Sequence, residues 1–248
     1  MKYDVIIVGA GPGGIYSAYE LMKKCSDKKI AVFDSGYSLK KRHCPIDGEK
    51  VKACIKCKSC SIMSGFGGAG AFSDGKYNIT NDFGGTLYEY IGKKAATELM
   101  QYVDDINMAH GGEGTKMYST AGTNLKKVCL QNRLKLLNAS VRHLGTDINL
   151  VVLGRLYDEL KEHVDFYFES PVSHIECLEN GGYRVWSNDK SYDCEKCIVS
   201  VGRSGSKWME HICKELDIPT KSNRVDIGVR VELPAVIFSH LTDELYES

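Results

Sequence analysis

The sequence predicts an α/β fold, a parallel sheet in three layers, and three observations carry the prediction. Val5-Ile6-Ile7-Val8 is a continuous β-branched run that leads into a glycine turn and then an amphipathic stretch. Ile30-Ala31-Val32-Phe33 is a second such run and ends in Asp34, and Cys197-Ile198-Val199-Ser200-Val201 is a third that again meets glycine, at Gly202. Apolar runs without alternation belong to strands covered on both faces, as in parallel sheets flanked by helices. Strand, glycine turn, helix and second strand form the Rossmann-like arrangement that holds FAD or NAD(P).

The first turn reads Gly9-Ala10-Gly11-Pro12-Gly13-Gly14, and Ile15, Ala18, Tyr19 and Met22 follow at helical spacing. Gly9 permits the tight turn, Gly11 lets backbone approach a pyrophosphate, and Gly14 lets the helix pack on the strand, while the helix N-terminus presents free N–H groups to the anion. Asp34 lies about twenty residues further on, where an acid accepts the hydroxyls of an adenosine ribose. A 2′-phosphate would be repelled there, so the expected ligand is FAD or NAD.

Cys44-Pro45, Cys54, Cys57 and Cys60 form the next informative stretch among ten cysteines. Two CxxC steps can bring three thiols to one centre, with Cys44 as a fourth ligand; an iron–sulfur cluster fits the spacing better than zinc, whose ligands usually come as separated pairs. Small buried residues or a reversible dithiol beside a flavin are the alternatives. Lys40, Lys41, Arg42, Lys50, Lys52, Lys56 and Lys58 surround the thiols, offsetting thiolate charge or lowering a thiol pKa.

Residues 65–78, GFGGAGAFSDGKYN, are too rich in glycine to add much core and too aromatic for a linker. The expectation is a loop wrapping a flat cofactor. Gly67, Gly68, Ala69 and Ser73 are its cofactor-facing candidates, and Asp74 and Lys76 are the catalytic candidates, Lys76 as a cation beside a reduced flavin.

The N-terminal fingerprint, the Cys-Pro with its CxxCxxC and the GFGGAGAFSDGKYN loop together resemble an uncharacterised family of FAD-dependent dehydrogenases in the glutathione-reductase-like flavoprotein superfamily. The resemblance implies FAD along the glycine turn, with Asp34 standing where that superfamily usually has glutamate. It implies an adenine contact through the backbone of Val172, and it makes Gly202 part of a second FAD-contacting motif. Arg203 there meets a pyrophosphate oxygen or faces solvent. The family's substrate is unassigned.

Further along, Leu87 to Val103 and Leu125 to Leu137 carry helical spacing, broken by Gly111-Gly112-Glu113-Gly114. They suggest a helical insertion capping the crevice. The sheet domain is expected to resume at Arg142-His143, with a helix over 150–161, a strand over 164–168 and a β-meander turning at Gly181-Gly182. Cys194 and Cys197, three apart on a strand, are expected on opposite faces. Asp226 to Glu232 alternates like a strand opening a β-rich second domain.

The expected domains are 1–85, the first part of the FAD-binding domain; 86–142, the insertion; 143–215, its second part; and 216–248, the start of a substrate domain. The superfamily's third FAD contact, a Gly-Asp pair before a glycine-rich helix, does not appear, so the chain resembles the N-terminal half of a member. Either it is incomplete or another chain supplies the rest.

Acidic and basic residues balance at 32 each, which points away from nucleic acid and from an anionic membrane surface. No apolar run approaches the ~20 residues of a membrane span. Met1-Lys2-Tyr3 enters the first strand directly, so the expectation is a cytoplasmic protein without a signal peptide. Taken together, the residues predict an FAD-dependent oxidoreductase acting on a small-molecule substrate or electron carrier. The alternatives are a redox-sensing or nucleotide-binding module without turnover, and an incomplete flavoprotein fragment.

Overall fold

The computed structural model describes residues 1–179, 181–222, 225 and 227–245. In chain order the elements are β1 (Lys2–Val8), α1 (Pro12–Lys24), β2 (Ile30–Phe33), β3 (Lys76–Ile79), α2 (Tyr88–Ile91), α3 (Lys93–Asn107), β4 (Met117–Ser119) and α4 (Leu125–Gln131). There follow β5 (Ser140–His143), α5 (Gly145–Leu160), β6 (Val164–Tyr167), β7 (Val172–Cys177), β8 (Tyr183–Ser187), β9 (Lys190–Val199), α6 (Ser206–Glu215) and α7 (Ala235–Leu245). They divide into two compact units, residues 1–73 with 149–221, and residues 74–148 with 222–248.

The first unit is the predicted α/β fold. Its six-stranded sheet runs β6-β2-β1-β9-β8-β7, and β6, β2, β1 and β9 are parallel. Val5 to Val8 align with Ile30 to Phe33 on one side and with Lys196 to Val199 on the other. Ile6 and Ile7 are both fully buried, as their unbroken apolar run requires. On α1, Ile15, Ala18, Tyr19 and Met22 are the buried face, and Pro12 opens the helix where its missing N–H costs nothing. Ile6, Val8, Ala31 and Phe33 belong to one core cluster with Ile175, Val185 and, from α6, Ile212.

Cys194 and Cys197 do not lie on opposite faces. Both pack in that same cluster, as do Tyr3 and Ile6, their partners on β1. Asp4 N and Val5 N both donate to Lys29 O, at 2.9 and 3.3 Å, while the register of β1 on β9 is unbroken from Lys2 opposite Asp193 to Val8 opposite Val199, so the two strands depart from plain alternation together.

The second unit contains a sheet that the sequence did not suggest. β3, β5 and β4 pair antiparallel, so Arg142 and His143 belong to this sheet rather than reopening the first one. Three- and four-residue strands are too short for alternation to be read. Arg142 holds the sheet to α3 through Asp104, with Nε to Oδ1 at 3.0 Å and Nη2 to Oδ2 at 2.7 Å, and Asp104 is buried. The bidentate geometry compensates that carboxylate for its lost hydration.

The strand expected over 226–232 is not formed at the described positions; Asp226 itself lies outside them. Residues 225 and 227–234 carry no regular structure, and Ile227 and Val229 are 96% and 89% exposed. Among the described residues no strand pairs with them, and an alternating pattern forms a strand only when a neighbour takes its backbone hydrogen bonds.

Candidate dinucleotide cleft

The carboxyl ends of β1, β2 and β9 open on a cleft of about 730 Å³ lying within the first unit. That volume lies in the range of sites for small molecules and cofactors. Its floor is the glycine turn. Gly9 has φ +105°, and a Cβ there would stand 2.5 Å from Ser200 O, so any side chain would push β1 from β9. Gly11 caps α1 without any side-chain hydrogen bond, and Gly13 also lines the cleft. The amide-bearing end of the helix dipole therefore borders the space. Gly14 lies behind: its Cβ would sit 1.8 Å from Gly9 O.

Asp34 is already engaged with backbone. Its Oδ2 accepts Ala10 N at 2.7 Å, and its Oδ1 accepts Gly36 N at 2.7 Å and Gly65 N at 2.9 Å. One carboxylate thus joins the glycine turn, the end of β2 and the start of the middle loop.

That loop packs on the turn itself. Gly67 N donates to Ala10 O at 2.8 Å, and a Cβ on Gly68 would be 3.1 Å from Gly11 Cα. Residues Gly68–Phe72 form a 3-10 turn, with Gly67 and Gly68 at φ +87° and +57°. Fully buried Phe66 anchors it, its ring 5.0 Å from that of Tyr157 and 5.7 Å from that of Phe166. Asn149 Nδ2 donates to Gly70 O at 2.9 Å. Arg42 donates to Ser61 O, Phe66 O and Ile62 O at 2.8, 2.6 and 2.9 Å, and its guanidinium lies over the Phe72 ring. Burial pushes this guanidinium's pKa down from its usual value.

Of the expected cofactor residues, Gly9, Gly11, Pro12, Gly13, Asp34, Gly68, Ala69, Val172 and Gly202 line the cleft, whereas Gly14 and Gly67 pack behind it. Arg203 lines it too. Ser73, Asp74 and Lys76 are not among the lining residues. Ser73 closes the 3-10 turn through its amide to Gly70 O, Asp74 opens the second unit, and Lys76 begins β3 opposite His143.

Cys44, Cys54, Cys57 and Cys60, expected to meet at one metal, are not brought together as such a group. Among the described residues no three cysteine, histidine or acidic side chains form a group able to hold a metal ion. The segment is loop rather than helix, with Lys56 at φ +53° and a turn closed on the Asp47 carboxylate by Glu49 N, Lys50 N and Val51 N. The CxxC steps therefore do not wrap their thiols to one side. Cys57 and Cys60 instead line the cleft with Lys58 and Ser59. Sequence reasoning missed Ser35, Lys58, Ser59 and Trp208; only their nearness to Asp34, to the cysteines and to Gly202 hinted at them.

No family model matches the chain. An uncharacterized protein of Clostridium beijerinckii (strain ATCC 51743 / NCIMB 8052) is 24% identical over 236 residues, 94% of this chain and 37% of that protein. The chain thus spans well under half the length of this curated relative. Among solved structures, glycine oxidase from Geobacillus kaustophilus is 13% identical with a TM-score of 0.47, covering 87% of this chain and 58% of its own. FAD-bound L-alpha-glycerophosphate oxidase from Mycoplasma pneumoniae is 14% identical with a TM-score of 0.46, covering 86% and 57%. No helix among the described residues is long and apolar enough to cross a membrane.

Proposed function

We propose that this chain is the FAD-binding part of an oxidoreductase. One observation carries the reading: the glycine turn at the α1 N-terminus and the middle loop are packed backbone to backbone, leaving a ready-made cleft beside them. The α1 amides and Arg203 would hold the pyrophosphate, and the Val172 segment would hold the adenine. Bound FAD supplies the electron transfer, while the chain binds and orients it. The second unit would carry the substrate-facing surface for a small molecule or electron carrier. Anaerobic reconstitution with FAD, followed by gel filtration and an absorption spectrum, tests the reading. Flavin bands that co-elute with the chain, and resist an excess of NAD, are expected. A chain that stays colourless while retaining its fold would overturn it.

A second reading, a redox-responsive nucleotide module, draws on the exposed Cys57 and Cys60 in the cleft wall. It is favoured if oxidation of these thiols changes FAD affinity and no electron acceptor is turned over.

A further inference from the structure

We infer that the adenine of the bound dinucleotide stacks on the indole of Trp208, which makes this residue of α6 a determinant of affinity for the adenylate half of the cofactor. The inference rests on the flavin reading and deepens it.

A purine has a π-face that stacks on aromatic side chains whatever hydrogen bonds its edge makes. Among the described residues two aromatic side chains line the cleft, Phe33 and Trp208. Phe33 is 1% exposed, its ring stacked on Tyr167 at 4.6 Å and meeting Tyr192 at 4.8 Å, so its surface is already taken by the core. Trp208 packs against the same core cluster but is only partly buried. It is therefore the aromatic surface that the cleft has left to offer.

The indole is held in place. Its Nε1 donates to Ser173 O at 3.3 Å, and the preceding residues Ser170, Pro171 and Val172 line the cleft with it. The turn from β9 into α6 is tight as well: a Cβ on Gly205 would stand 2.5 Å from Val201 Cβ, so the helix starts directly against the end of the strand.

That bond also limits what Trp208 can recognise. An indole has one N–H donor and no acceptor, and this donor is spent on Ser173 O, so a ligand meets π-surface alone. Phosphates have the α1 amides, and sugar hydroxyls need polar partners. Of the three parts of an adenylate, only the base can use the indole. The Val172 segment would meet the purine's edge and Trp208 its face.

The chain holds two tryptophans. Trp186 lies on β8 and is not among the cleft residues, so Trp186→Phe leaves Trp208 as the one indole reporter. That variant is titrated with ADP, which carries no flavin to quench by energy transfer, and with ribose 5-phosphate, which carries no base. ADP is expected to change the indole emission to saturation, and ribose 5-phosphate to leave it unchanged. In the otherwise wild-type chain, Trp208→Leu is expected to weaken ADP and FAD alike, about five- to a hundredfold, the loss of one base stack. Trp208→Phe, which keeps a ring but cannot bond Ser173 O, is expected to recover most of that loss; calorimetry reads both variants. FAD held equally by wild type and Trp208→Leu would overturn the inference and leave the flavin reading standing. So would ADP that saturates without moving the Trp208 emission, or Trp208→Phe that binds no better than Trp208→Leu. Should Trp208→Leu fail to fold, the emission titration still decides. Wild-type protein that binds neither ADP nor FAD would overturn the flavin reading, and this inference with it.

Discussion

Gly14 and Gly154 are both helical glycines, yet their surroundings set opposite expectations. A methyl at Gly14 would meet Gly9 O at 1.8 Å, whereas one at Gly154 has no neighbour within 4 Å and needs no positive φ. Gly14→Ala should cost at least about 1–3 kcal/mol through forced repacking, and with it nucleotide binding; Gly154→Ala should gain about 0.4–1 kcal/mol from reduced freedom of the unfolded chain. Urea denaturation of the two variants checks both signs. Arg42 allows a similar argument. Its guanidinium satisfies three carbonyls, two of its bonds being buried. Arg42→Met leaves those acceptors unpaired and should cost on the order of 2–4 kcal/mol. Lysine cannot reach all three and should rescue little. Faster proteolysis within residues 60–66 would accompany the loss; an unchanged cleavage rate and denaturation midpoint would refute this role.

At the level of elements, β9 decides the chemistry of a cysteine pair. Cys194 and Cys197 pack in one cluster, where the hydrogen bond from Cys194, followed by burial, pushes the Cys197 thiol well above its ordinary pKa. Thiolates, not thiols, react. A brief pulse of iodoacetamide at about pH 8 should therefore modify exposed Cys54, Cys57 and Cys60 long before Cys197. Peptide mass spectrometry reads the order, and equal labelling of Cys197 and Cys57 would contradict it. The sequence could show β1, α1, β2 and the glycine turn because each rests on local pattern: Val5 to Val8 are uniformly apolar and Ile15 to Met22 keep helical spacing. It could not show that Cys194 and Cys197 share one cluster, which depends on how β9 packs beside β1. Nor could it show the engagement of Asp34, since two of its three partners lie at Ala10 and Gly65.

For the whole molecule, charge balance matters more than any single contact. Lysine plus arginine and aspartate plus glutamate are equal at 32, and the isoelectric point is about 7.0. With no net repulsion at neutrality and with Ile227, Val229 and Val225 largely exposed, association should be strongest there. Solubility should pass through a minimum near pH 7 and rise on either side, as turbidity against pH would show; a flat profile would contradict this.

The order of strands in the first sheet also governs how the chain is made. β1 lies between β2 and β9, and β2 follows it at once, whereas β9 spans Lys190–Val199. During synthesis one edge of Val5-Ile6-Ile7-Val8 must stay open until nearly two hundred residues have left the ribosome. An apolar, uncharged edge left open is a template for pairing with another nascent chain. The glycine turn at the end of β1 acquires its second wall only when that last parallel strand arrives.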